Sequence, residues 1–177
     1  MARLFIALYP PIAVARALLA SLEPLELPKH RATPAEQLHM TVLFLGETSE
    51  RELDNVLESI ARAAAAVPPF TLAPAALSLL PERGPARLVA ALTDTPPALV
   101  ELRRRLVARL ASQRRKPGPF TAHFTLCRFG APTRCKLSAL ELRVEPFEVL
   151  SISLQRSILR PEGAEHRHVA RFELGAT

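Results

Sequence analysis

Short apolar runs alternate along this chain with segments whose apolar residues recur every three or four positions. The first run, Arg3 to Tyr9, ends at Pro10-Pro11 and reads as a buried strand. From Pro11 to Leu22, Ile12, Ala15, Leu18, Leu19 and Leu22 fall at helical spacing. Proline is tolerated in that first turn because its missing N–H has no helical partner there. A proline-interrupted stretch, Glu23 to Gln37, leads into a strand over Leu38 to Leu45, closed by Gly46. Ser49-Glu50-Arg51-Glu52 then fits a capping box, with Leu53, Val56, Leu57, Ile60 and Ala64 along one helix face up to Pro68-Pro69. Phe70 to Leu80 reads as a strand in which Pro74 marks an edge or a bulge. After a turn, Arg87 to Leu92 is a strand, and Pro96 to Ser112 is a helix with Leu99, Leu102, Leu106 and Leu110 inward. Thr121 to Phe129 is a strand closed by Gly130, and a short helical piece spans Leu137 to Leu142. Phe147 to Gln155 and His168 to Leu174 are the last two strands. Interleaved strands and helices predict, by themselves, parallel βαβ units.

Compared with itself, the chain says more. The strand at Leu38 contains His39-Met40-Thr41-Val42, and the strand at Thr121 contains His123-Phe124-Thr125-Leu126. Each reads His, any residue, Thr, apolar residue. Side chains two apart on a strand share a face, so each motif points an imidazole and a hydroxyl the same way. His123 minus His39 is an offset of 84. The same offset carries Arg3-Leu4 onto Arg87-Leu88, Ala7-Leu8 onto Ala91-Leu92, Leu18 onto Leu102, Leu22 onto Leu106 and Gly46 onto Gly130. Pro69-Phe70 is echoed by Pro146-Phe147 at a changed offset. Self-similarity at a fixed offset points to a duplicated unit. Two copies pack naturally as two lobes about a pseudo-twofold axis, with the copied strands meeting near it. We therefore expect residues 1–177 to form one domain of two interleaved lobes.

That symmetry suits displacement at phosphorus, in which the nucleophile enters opposite the leaving oxygen. A base is needed on one side and an acid on the other, and imidazole serves as either near neutral pH. The two threonine hydroxyls are placed to donate to non-bridging oxygens.

Composition narrows the partners. The 177 residues are 49% hydrophobic, enough for a sizeable core, and carry a net charge of +6. The sequence pI is near 10.3, which favours an anionic partner such as nucleic acid, although an arginine-rich soluble surface gives the same number. Aromatics are 5%, with no Trp and one Tyr, which argues against a stacking platform for many bases. Arg103, Arg104, Arg105, Arg109, Arg114, Arg115 and Lys116 form a basic cluster that fits either an RNA backbone or a solvated helix face. Cys127 and Cys135 lack metal or disulfide spacing and read as free thiols in a reducing cytoplasm. The N-terminal apolar run is too short for a signal peptide or a membrane span.

The remaining histidines, His30, His166 and His168, come with no carboxylate or cysteine cluster. We expect no metal site and read these three as surface residues, one or two of them at most bordering the cleft. Arg128, in HFTLCR, falls by strict alternation on the face opposite His123; a bulge or twist would turn it toward the cleft and a phosphate. Arg31 either lines the cleft or lies on the surface.

At HMTV and HFTL the chain resembles the 2H phosphoesterase superfamily, and within it the LigT-like RNA 2′,3′-cyclic phosphodiesterases, also called 2′-5′ RNA ligases. The resemblance extends over RLFIALYPP, LHMTVLFLG, FTAHFTLCR, and a closing part with Ser157 and ARFEL. It implies an α+β, bilobal fold with two antiparallel-rich sheets around a central groove and helices outside, in place of parallel units. It implies a metal-independent enzyme without cofactor that hydrolyses a terminal 2′,3′-cyclic phosphate on RNA to a 2′-phosphomonoester. His39 is similar to the proton donor to the leaving 3′ oxygen and His123 to the base that activates water. Thr41 and Thr125 are similar to the phosphate-binding threonines, with Arg128 beside them. The alternatives are 2′-5′ RNA ligation, hydrolysis of another cyclic or 2′-5′ phosphodiester, and an RNA-binding module without catalysis. Leu43 stands where a Lys is frequent in the family, Ala122 replaces a usual Pro, and an aromatic is missing near Ala32. We expect a cytoplasmic monomer acting on RNA, with no membrane association.

Overall fold

The computed structural model describes residues 2–110, 118–137, 142–160 and 163–175. Strand β1 (Ala2–Leu8) is followed by α1 (Ile12–Ala20), β2 (His30–Ala32), a 3₁₀ turn (Ala35–Gln37), β3 (Met40–Thr48) and α2 (Glu50–Ala65). Next come β4 (Phe70–Leu72), β5 (Pro74–Leu80), β6 (Ala86–Thr93) and α3 (Pro97–Leu110). The chain continues through β7 (His123–Thr133), β8 (Phe147–Val149), β9 (Ser151–Arg160) and β10 (Gly163–Glu173). The helical piece expected at Leu137 to Leu142 falls largely on 138–141, outside the described residues.

Two four-stranded sheets carry the fold, in the orders β10-β9-β1-β3 and β2-β7-β6-β5, beside a β4-β8 ladder. The fold is α+β, and the ladders among the described residues are antiparallel. This corrects the parallel arrangement suggested by element order alone. The reason is visible in the register. Met40, at the start of β3, pairs with Leu8, at the end of β1. The segment holding α1 therefore returns the chain to the end of β1 that it left, and β3 runs back along it.

The offset of 84 carries β1 onto β6, α1 onto the first turns of α3, and β3 onto β7. Each central pair is then flanked by a strand from elsewhere in the chain. The sheet of β1 and β3 receives β9, and the sheet of β6 and β7 receives β5. Pro74 sits on β5, an edge strand, where a missing N–H costs no ladder bond. The Pro-rich stretch before the first motif holds a strand that its composition concealed, since the prolines break up the apolar pattern. His30–Ala32 adds to the outer edge of β7.

Helix packing follows the periodic positions. Ser49 and Glu52 form the capping box, the Ser49 N–H donating to the Glu52 carboxylate at 2.8 Å. Val56 and Ile60 of α2 and Leu99, Leu102 and Leu106 of α3 are buried. The core also takes Ile6, Leu8, Met40, Phe124 and Leu126 from the strands. Among the described residues, no helix is long and apolar enough to cross a membrane.

Candidate active site

A groove of about 990 Å³ runs between the two sheets, and His39, Thr41, His123 and Thr125 all line it. The two motifs share their local chemistry as well as their spacing. The Nδ1–H of His39 donates to the Gln37 carbonyl at 2.7 Å, and the Nδ1–H of His123 donates to the Thr121 carbonyl at 2.7 Å. A carbonyl can only accept, so each ring carries a proton on Nδ1, and in the neutral form the lone pair lies on Nε2. Gln37 and Thr121 are themselves 84 residues apart.

A second feature is duplicated, and it decides what faces the groove. Along β1 the partners run Ala7↔Thr41 and then Ile6↔Leu43, which leaves Val42 unpaired. Along β6 they run Ala90↔Thr125 and then Val89↔Cys127, which leaves Leu126 unpaired. Each strand thus bulges directly after its threonine, and a bulge shifts the alternation of faces by one residue. Val42 and Leu43 are both buried, as are Leu126 and Cys127. Phe44 and Arg128, the next residues, turn into the groove. The carbonyl of Leu126 accepts the Thr33 N–H at 2.8 Å instead of a ladder bond.

Strict alternation therefore misplaced Arg128, which joins the histidines on the groove face because of the bulge. The signal was present in the sequence as two adjacent apolar residues after each threonine. Leu43 belongs to the core and has no part in the groove lining. Phe44, 68% exposed, is an aromatic on the groove face that periodicity had assigned to neither surface nor site.

The two histidines differ in their surroundings. The His39 ring lies 5.2 Å from Phe5, 5.5 Å from Tyr9 and 4.9 Å from His166, centroid to centroid. Burial in this cluster pushes the His39 pKa down to about 4, with Coulomb repulsion from His166, Arg128 and His123 in the same direction and the Gln37 hydrogen bond opposing it. Burial also holds Tyr9 up at about 12. His30 and His166 are the two of the remaining histidines that border the groove, within the one or two expected. His166 reaches deepest, to the His39 ring. It stands edge-on to His39, lines the groove, and has a buried Nδ1 without a hydrogen-bond partner. It arrives from β10, which two strands separate from β3 in that sheet. His168 lies 3.4 Å from the buried Gln155 amide, and His30 is exposed on β2.

Arg31 also lines the groove. The basic cluster on α3 is largely engaged with its own surroundings. Arg104 and Arg105 both bind Glu101, holding its carboxyl down at about 2, and Arg103 lies over the Phe120 ring at 4.8 Å. Arg114, Arg115 and Lys116 lie outside the described residues. Among the described residues no group of three or more His, Cys, Asp or Glu could hold a metal ion.

The family model of the 2′-5′ RNA ligase superfamily matches residues 10–156. The chain belongs to the 2′-5′ RNA ligase superfamily. One superfamily relative, the RNA 2′,3′-cyclic phosphodiesterase of Thermus thermophilus, is 33% identical over 183 aligned positions, covering 97% of this chain and 90% of that protein. A crystal structure of a protein from Thermus thermophilus superimposes with a TM-score of 0.84 at 29% identity, over 98% of each chain. The apo crystal structure of Escherichia coli LigT superimposes with a TM-score of 0.83 at 22% identity, over 98% of this chain and 97% of LigT, and so speaks to the superfamily fold alone.

Proposed function

We propose that this chain is a metal-independent RNA 2′,3′-cyclic phosphodiesterase and that residues 1–177 work as one domain of two interleaved, duplicated lobes. The observation that carries the reading is the pair of Nδ1-anchored imidazoles lining one groove, each beside a threonine. The relative in Thermus thermophilus that bears this activity in its name supports it. The crossing of β5 and β9 between the copies supports the interleaved domain.

In the proposed reaction the 2′,3′-cyclic phosphate sits between the two rings. Nε2 of His123 takes a proton from water as its oxygen bonds to phosphorus. The P–O3′ bond breaks, and His39 supplies the proton that the leaving 3′ oxygen needs. The product is a 2′-phosphomonoester. The Thr41 and Thr125 hydroxyls donate to the non-bridging oxygens, and Arg128 offsets their charge. Before substrate arrives, burial keeps His39 neutral. An anionic phosphate beside it favours the imidazolium, so substrate and proton bind together. That coupling ties the donor to the one form of the site able to react.

The absence of carboxylate and cysteine clusters among the described residues supports a reaction without metal. The cysteines, Cys127 and Cys135, are unpaired, in keeping with a reducing cytoplasm. With an RNA 5′-hydroxyl in place of water, the same displacement makes a 2′-5′ linkage and frees the 3′ oxygen, and the superfamily's description favours this as the second activity of the same site.

The test is to incubate the protein with an oligoribonucleotide ending in a 2′,3′-cyclic phosphate, with EDTA present, and to identify the product. A 2′-phosphate is expected. A 3′-phosphate, or a rate that needs added metal, would overturn the reading.

A further inference from the structure

We infer that Arg31 forms a second anion subsite, adjoining the reacting-phosphate position that Arg128 serves, for the internal phosphodiester one nucleotide upstream. The preferred substrate is then an oligonucleotide of at least two residues. This rests on the cyclic phosphodiesterase reading of the histidine centre.

Arg31 and Arg128 are direct register partners on β2 and β7, and both line the groove. Like charges directly opposite on neighbouring strands repel. That repulsion, after burial, holds the Arg128 pKa below its usual value. An anion between the two guanidinium groups would relieve it, and a guanidinium fork fits two phosphate oxygens.

The charge balance of the groove points the same way. Arg3, Lys29, Arg31 and Arg128 line it, while no carboxylate does so among the described residues. The reacting cyclic phosphate carries a single negative charge, fewer than the fixed cations around it. The positions also match a strand of RNA leaving the centre. Arg128 lies beyond the Leu126 bulge that follows Thr125, and Arg31 is its cross-strand partner on β2.

The Arg31 guanidinium reaches across to the far wall of the groove. A Cβ built on Gly163 of β10 would collide with that guanidinium. Gly163 has φ +126°, a conformation that side chains rarely adopt. The guanidinium therefore spans from the β2 edge of one sheet to the β10 edge of the other and closes one end of the groove around the substrate path.

The experiment compares kcat/KM for 2′,3′-cyclic AMP, for ApA ending in a 2′,3′-cyclic phosphate, and for that dinucleotide with an uncharged methylphosphonate linkage. Wild-type protein is expected to favour the charged dinucleotide over the methylphosphonate by about ten- to a hundredfold, the range for hydrogen bonds to a charged group. Arg31→Gln is expected to bring that ratio close to one, and Arg31→Lys to restore it in part. Calorimetric affinities of ApA ending in a 2′-phosphate, with either linkage, give the same ratio without turnover. If wild-type protein hydrolyses none of the cyclic substrates, the phosphodiesterase reading fails while the calorimetric ratio still decides the subsite. A wild-type ratio near one, or one that Arg31→Gln leaves unchanged, overturns the proposal.

Discussion

His39 and His123 are the same residue in two copies of one arrangement, and they differ in everything beyond it. Both donate through Nδ1 to the carbonyl two residues back at 2.7 Å, and both precede a bulged strand. Around His39 close Phe5, Tyr9 and His166, and its pKa falls to about 4. Duplication therefore supplies symmetric geometry, whereas burial from β1 and β10 makes the two rings chemically unequal. The mates of the second feature have diverged further: the same bulge turns Phe44 into the groove on one side and Arg128 on the other. One flank of the groove is thus apolar and the other cationic.

The largest effects are expected where the symmetry is broken at the rings themselves. His39→Ala and His123→Ala should each lower kcat by about 10²–10⁴-fold, the range for loss of a general acid or base. A 3′-thio-linked cyclic substrate, whose leaving group needs no proton, should rescue His39→Ala and leave His123→Ala inactive. Rescue of the other variant would exchange the two roles.

A smaller effect separates the rings without substrate. His39 is neutral in the folded protein down to about pH 4, while the unfolded chain binds its proton near 6.5. The unfolded state therefore holds more protons between those values, and stability is lost as pH falls from 6.5 toward 4. The loss from this residue is about 3 kcal/mol at ~1.4 kcal/mol per unit. Urea unfolding at pH 7 and pH 4 should show that component in wild-type protein and in His123→Asn, and lack it in His39→Asn. An equal slope in all three would place the pH dependence elsewhere.

Thr41→Val and Thr125→Val remove one hydroxyl donor from each copy. Each should cost about tenfold in kcat/KM, the size of one net hydrogen bond, and the two losses should be similar if the phosphate sits on the symmetry axis. A loss confined to one variant would move the phosphate toward that lobe. The smallest effect belongs to His166→Phe, which keeps an aromatic wall against His39 and removes a charge. The His39 ring, followed by NMR, should titrate at higher pH than in wild-type protein. An unchanged titration would reduce the contact to packing.

Much of this molecule is legible from residue types at local spacing. Helices α2 and α3 follow their 3.6-residue stripes, and the paired His-x-Thr motifs follow from alternation over three residues. The repeat is legible because it is a comparison of the chain with itself. Arg128 and Phe44 are legible only in part: two adjacent apolar residues after each threonine mark a break in alternation, but a bulge is a mismatch between two strands and is fixed only by the partner strand. Strand β2 is hidden because three residues between prolines carry no period. His166 is hidden because the β9-β10 hairpin brings it to His39 from more than a hundred residues away.

The sequence by itself determined the existence of two equivalent imidazole–hydroxyl pairs, because side-chain direction on a strand depends on near neighbours alone. Only the tertiary structure decided that the sheets run antiparallel, that Arg128 joins the histidines, and that His39 is the buried member of the pair. Those outcomes depend on register, crossing strands and desolvation, which are set by residues remote in the chain.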